Sequence, residues 1–322
     1  MMKKNLTRTI VLLGSIILLS SWGFYAHKRI ARLAVFTLPK DLIVFYKGNI
    51  NTITERSVNP DKRRGIDPLE GQRHFLDADY YGENPFDSIP VKWKDAINKF
   101  SQDTLQTYGT VPWQIEKVYY QLVKAFAAKD SANIIRLSAD LSHYIADAHV
   151  PLHTSMNYNG QLTNQIGIHA FWESRLPELF AKDYDYFVGP AKYIDNPLQE
   201  AWRIVKETYS LVPLTLKLEK ETNGNFAPDK KYTYSQRNNK VIKQYSEEYS
   251  RKYHEVLNGM VEKQMRKAIL ATGSFWYSAW IDAGQPNLKA ISRKDIPIAE
   301  QNEINKEEQL YLQGKVLGRE DL

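Results

Sequence analysis

Histidine is scarce in this chain, seven in 322 residues, and three of the seven fall in one stretch, LSHYIADAHVPLHT at 141–154. His143 and Asp147 stand four residues apart, so on an α-helix their side chains share one face, about 6 Å apart at Cβ, a separation one metal ion can bridge. Pro151 cannot continue that helix, which frees His153 to turn away from it. A second stretch, HAFWE at 169–173, repeats the four-residue spacing with His169 and Glu173. A single His-x-x-x-Asp pair is ordinarily a surface ion pair. Two pairs of a histidine with a carboxylate, and a further histidine between them, point instead to a centre of more than one metal ion and to metal-assisted hydrolysis. The chain has no cysteine, so disulfides, thiolate ligands and thiol nucleophiles are all excluded, and zinc would have to be held by nitrogen and oxygen.

These residues need a scaffold, and the composition supplies one. Apolar residues make up 43% and charged residues 25% of the chain, enough for a packed core and far from the composition of a disordered or collagen-like chain. Lys3, Lys4 and Arg8 precede the apolar run IVLLGSIILL at 10–19, which reads as a secretory signal because ten residues are too few for a permanent membrane anchor. Cleavage between Ser21 and Trp22 would leave a secreted or periplasmic chain that is not an integral membrane protein. Its formal charge would fall from +6 to about +3, since the signal carries three basic residues and no acidic one, a balance that argues neither for nor against a polyanionic partner. No sequence feature points to a stable protein partner.

Helical periodicity predicts a first helix from Trp22 that Pro39 ends, one or two short helices over 41–58, and a long Asp-, Gly- and Pro-rich connection over 59–90 of the kind that carries function. Further helices are predicted at 93–100 and 112–128. Ser131 is the expected cap of the helix that carries His143 and Asp147, whose buried stripe is Ile134, Ile135, Leu137, Leu141 and Ile145. Helices follow at 169–180, 197–220 and 238–271, with Gly273 a point of interruption before helix resumes to 284. No stretch alternates as a strand. The expected architecture is a single all-α domain over 22–285, preceded by a signal at 1–21 and followed by a polar extension at 286–322.

With Trp22 five residues before His27, and Asp61 and Arg64 ahead of His74, the pattern resembles the zinc-dependent phospholipase C and single-strand-specific nuclease superfamily. The similarity runs from Trp22 to about Gly284 and implies an all-α fold with a trinuclear zinc cleft. By that resemblance Asp61, His74, His143 and Asp147 hold one zinc. Trp22, through its free α-amino nitrogen and carbonyl oxygen, holds a second with His27 and a bridging Asp147, and His153, His169 and Glu173 hold the third. Asp67 is a nearby rival to Asp61 as the loop ligand.

The resemblance also implies hydrolysis of a phosphoric ester, with Asp61 as proton acceptor and Arg64 on the phosphate. In the nuclease branch Phe75 would stack on a base and Asp77 would read its edge, although a core phenylalanine and a turn-stabilising aspartate explain the same residues. His149, off the His143 and Asp147 face, is expected beside the site or at the surface, and His254 is expected to be exposed. The Trp22 to His27 step, Asp61 with Arg64, and DAHVPLH favour single-stranded nucleic acid or a 3′-nucleotide as substrate, and a nuclease or 3′-nucleotidase is the expected activity, with phospholipase C the alternative. The short gap from His153 to His169, the final Glu173 and HFLDAD favour a phospholipid. A protein that only binds metal or a phosphorylated ligand is the third class, and nine retained ligands argue against it.

Overall fold

The computed structural model describes residues 24–237, 240–289, 291 and 298–313; the expected signal 1–21 and the expected ligand Trp22 lie outside the described residues. The first half runs through α1 (Phe24–Ala34), α2 (Lys40–Gly48), α3 (Ile50–Arg56), α4 (Asn59–Arg63), α5 (Pro85–Ser88), α6 (Trp93–Phe100), α7 (Gln102–Tyr108), α8 (Val111–Ala127) and α9 (Ser131–Asp147). The second half contains α10 (Ile168–Ala170), α11 (Leu176–Phe180), α12 (Pro197–Tyr209), α13 (Val212–Gly224), α14 (Glu247–Val256), α15 (Met260–Asp282) and α16 (Ile298–Leu312). The chain is therefore an all-α domain, with one small sheet among the described residues. Among the described residues no helix is long and apolar enough to cross a membrane.

The sheet corrects the expected helix over 238–271. Strands β1 (Tyr232–Arg237) and β2 (Lys240–Tyr245) pair antiparallel, with Tyr232 opposite Tyr245 and Gln236 opposite Val241. Its sequence, YTYSQR and KVIKQY, offers polar residues to both faces, so the apolar alternation by which a strand is ordinarily read is absent. The predicted helix at 197–220 is likewise two helices. Pro213 stands at the start of α13, and its ring and missing N–H stop α12 from continuing through that turn.

Helix α9 lies at the centre, with α8, α15, α3 and α1 packed around it. Asp130, one residue before the expected Ser131, caps it by accepting the Asn133 N–H at 3.2 Å. The first turns bury Ser131 and the apolar stripe. From Leu137 to Asp147 every side chain is buried, so each polar group there must find a partner inside the protein. Ser138 shares a 2.8 Å hydrogen bond with the Tyr46 hydroxyl, and its carbonyl accepts the Trp276 indole N–H at 3.0 Å. Gly273 does not interrupt α15. A Cβ placed there would fall 1.8 Å from Thr37 Oγ1, so glycine is what allows α15 to close against the turn that ends α1.

Candidate metal centre

Five elements converge on the end of α9. Helix α9 itself brings His143 and Asp147, and α1 brings His27, whose ring stacks on His143 with centroids 4.1 Å apart. Pro60 starts the short helix α4 that carries Asp61. His153 lies in the 3-10 turn Pro151–Thr154, where the proline has ended the helical path as expected. His169 sits on α10, and Glu173 lies in a π-helical turn, Phe171–Arg175. Pro177 has no N–H to give the Glu173 carbonyl, so the α-helical ladder cannot run through, and Leu176 N–H bonds back five residues to Phe171 O.

His74 comes from the 72–77 segment, which is pinned on both sides. Thr110 N–H donates to Gln72 O at 2.7 Å, Asp77 N–H to Tyr108 O at 2.7 Å, and Leu76 N–H to His153 O at 2.9 Å. Gly109 makes this approach possible: its φ is +94°, and a Cβ would lie 2.2 Å from Phe75 O.

The resulting cluster has two shared carboxylates. Asp147 Oδ2 lies 3.0 Å from His74 Nδ1 and 3.3 Å from His143 Nε2, while its Oδ1 lies 3.4 Å from His27 Nε2. Glu173 does the same on the other side, with Oε1 3.2 Å from His27 Nε2 and Oε2 at 3.1 and 2.8 Å from His153 and His169 Nε2. His27 thus stands between two bridging groups, and the reach of Glu173 to His27 was not anticipated. Asp61 Oδ1 joins at 3.5 Å from His143 Nε2 and 3.7 Å from His74 Nδ1. Asp67 does not; it is paired with Arg73 at 2.8 Å.

The donor set fits metal. His143 Nδ1 donates to Ser57 O and His153 Nδ1 to His74 O, each at 2.8 Å, because a carbonyl can only accept. In the neutral rings, Nε2 of both therefore presents a bare lone pair to the cluster. Those atoms lie 3.0 Å from His74 Nδ1 and 3.1 Å from His169 Nε2, close approaches of ring nitrogens that call for a cation between them. Among the described residues, four overlapping triads have candidate ligand atoms within 4.8 Å of one another: His74, His143 and Asp147; His27, Asp147 and Glu173; His153, His169 and Glu173; and His27, Asp61 and His143.

Without metal, protons would serve as the cations. Burial pushes the His27 imidazolium down, but the bond to Glu173 and the charges of Asp147, Glu173 and Asp61 outweigh it and raise its pKa to about 9. Burial opposes His74 in the same way, and Asp147, Glu70 and Asp61 carry it to about 9 as well. Burial would raise Asp61 and Glu173, yet the facing histidines hold both carboxyls below their ordinary range. Metal must therefore displace protons. Calorimetric zinc titrations of metal-stripped protein at pH 7.5, in buffers of different ionisation enthalpy, are expected to show release of roughly two or more protons per chain. Zinc uptake without proton release would mean that His27 and His74 are already neutral.

Among the remaining candidates, Asp77, His149 and His254 join none of these triads. Arg64 and Asp77 are buried, and Phe75, at 4% exposed, lies beneath Gly109; its ring leaves no face on which a base could stack. His149 is buried, with Nδ1 donating to Ile145 O at 2.7 Å, and burial lowers its pKa to about 4. His254 is half-buried rather than exposed, because its ring stacks on Tyr184 and shares a 2.7 Å hydrogen bond with the hydroxyl of the same residue. Glu70, which the sequence reading did not single out, lies fully buried behind the cluster, 3.6 Å from His74 Nε2.

Residues 26–211 match the family model for zinc dependent phospholipase C. The chain belongs to that family. The match contains all eight candidate ligands of the described cluster, and a search of curated proteins found no match. Membership makes zinc the metal and a phosphoester the class of substrate, and both agree with a buried N/O cluster arranged around two shared carboxylates.

Proposed function

We propose that this protein is a three-zinc phospholipase C, acting outside the cytoplasm after removal of residues 1–21. The observation that carries the metal count is the pair of carboxylates, Asp147 and Glu173, each facing two histidine groups across His27. Three of the triads then correspond to three ions, with Trp22 completing the middle one through its amine and carbonyl. Bound zinc supplies acidification of water and charge neutralisation of the phosphate. In this reading Asp61, the candidate ligand on α4 that is not fully buried, takes the proton from the attacking water. In the overall reaction the water oxygen bonds to phosphorus and the bond from phosphorus to the glycerol oxygen breaks. That oxygen takes up a proton, so diacylglycerol and a phosphorylated head group leave.

Phospholipid is preferred to nucleic acid because the residues offered for base recognition, Phe75 and Asp77, are buried. One feature favours the nuclease or 3′-nucleotidase reading: Tyr80, exposed and six residues beyond His74, stacks on Tyr108 with centroids 3.3 Å apart, and such a pair can hold a base. The zinc-loaded mature chain is expected to release diacylglycerol from short-chain phosphatidylcholine and to leave single-stranded DNA, RNA and 3′-nucleotides intact. Cleavage of the nucleic acids alone would establish the nuclease reading. No hydrolysis of any substrate by the fully metallated protein would leave a binding protein.

A further inference from the structure

We infer that hairpin β1–β2, together with the loop 160–167 at its root, seats the protein on an anionic phospholipid bilayer. This rests on the phospholipid reading above. The pairing places Tyr232, Tyr234 and Gln236 on one face of the hairpin, opposite Tyr245, Lys243 and Val241. At the root that face is core: Tyr245 is buried and stacks on Phe171, centroids 3.9 Å apart, in the same π-helical turn that carries Glu173. Farther out the same face is exposed, with Tyr234 and Val241 at 70% and 72%.

The loop at the root adds to this surface. The Tyr245 hydroxyl donates to Ile166 O at 3.4 Å, and the Gly167 N–H donates to Asn159 Oδ1 at 2.8 Å, which fastens the loop beside the hairpin. Its Leu162 and Ile166 side chains are nevertheless 69% and 61% exposed. Single exposed apolar residues are ordinary on protein surfaces. Here four of them fall on two adjoining elements, one of which links the ligands His153 and His169 while the other packs on the turn that holds Glu173.

The charge of the hairpin selects the kind of surface. Residues 228–245 contain Lys230, Lys231, Arg237, Lys240 and Lys243 against one acidic residue, Asp229. Lys231 is committed to Glu219 at 3.2 Å, whereas Lys243 is exposed, with its ammonium 3.9 Å from the centre of the Tyr232 ring. Tyrosine and lysine beside bare aliphatic groups suit the boundary between head groups and acyl chains, where the apolar stem is buried and the polar end stays wet. Val241, Leu162 and Ile166 have nothing to offer a nucleic acid, which takes hydrogen bonds, charge and stacking.

The test uses the zinc-loaded mature enzyme sedimented with vesicles of phosphatidylcholine alone or mixed with phosphatidylglycerol. The parent is expected to partition more strongly onto the mixed vesicles, and less so as salt is raised. Tyr234→Ser combined with Val241→Ser should lower that partition about ten-fold, and Leu162→Ser combined with Ile166→Ser by a similar factor. Lys243→Glu should lower it several-fold on the mixed vesicles only. All three variants should turn over monomeric short-chain phosphatidylcholine within about two-fold of the parent, since none touches the metal cluster. Parent-like vesicle binding by the variants would overturn the inference while leaving the phospholipase reading intact. Loss of single-stranded DNA binding in the same variants, with vesicles unbound by the parent, would overturn it in favour of a nucleic-acid surface. Vesicle binding that falls as expected in a protein with no phospholipid turnover would uphold the surface and remove the proposed activity.

Discussion

Asp147→Asn is expected to lose more than one equivalent of zinc and to lower phosphoester hydrolysis by about a thousand-fold or more, the equivalent of roughly 4 kcal/mol of transition-state stabilisation. The reason is geometric. The two oxygens of Asp147 face different groups, Oδ2 towards His74 and His143 and Oδ1 towards His27, so one substitution weakens two of the triads. Asparagine keeps the shape but brings no charge and only one oxygen. His169→Ala is the comparison, because His169 belongs to one triad only; it should lose about one equivalent. Metal content by mass spectrometry, alongside initial rates, decides the matter. If Asp147→Asn and His169→Ala each lost one equivalent, Asp147 would be an ordinary terminal ligand and the shared-carboxylate arrangement would be wrong.

What could be read in the sequence was what local geometry dictates. His143 and Asp147 share a face because a helix has 3.6 residues per turn, and His153 leaves that face because Pro151 cannot continue the helix that precedes it. The all-α class and the central, buried position of α9 follow from the same periodicity. Other features depended on which segments meet. Glu173 reaches His27 across 146 residues, through a π-helical turn that follows from Pro177 and is not visible in helical spacing. Phe75, Arg64 and Asp77 carry the residue types of a substrate site, but residue type does not convey exposure, and the close approach allowed by Gly109 puts Phe75 beneath the surface. The hairpin at 232–245 was missed because its outer portion has no core face to impose alternation. Conversely, the four-residue step between His169 and Glu173 was legible even though the turn between them is not α-helical, since both spacings bring the two side chains to one side.

Glu70 shows the same limit and supports the second large prediction. It is an acid in a charged loop by sequence, yet in the fold Arg63 on α4, Arg73 on the turn before His74, and Tyr144 on α9 all converge on it. Arg63 Nε lies 3.3 Å and Arg73 Nη1 2.5 Å from its Oε2, and the Tyr144 hydroxyl donates to its Oε1. The same Oε1 faces His74 Nε2 at 3.6 Å, on the side of the ring away from the cluster. Glu70 therefore orients the ring so that Nδ1 points at Asp147 and Asp61, the role a buried carboxylate commonly plays behind a metal-binding histidine. Glu70→Ala would leave Arg63 and Arg73 without the buried charge they share, a loss of about 3 to 5 kcal/mol, which corresponds to a fall of roughly 10 °C in melting temperature for a domain of this size. Glu70→Gln keeps one acceptor oxygen, which can stay at the Oε2 position that Arg63 and Arg73 use, and should be milder in stability. Both variants are expected to weaken zinc binding by about 10- to 100-fold at the position that His74 serves, measured by competition with a chromophoric chelator at a temperature where each variant is fully folded. A purely structural Glu70 would lower the melting temperature and leave zinc affinity unchanged, and that result would remove it from the metal centre.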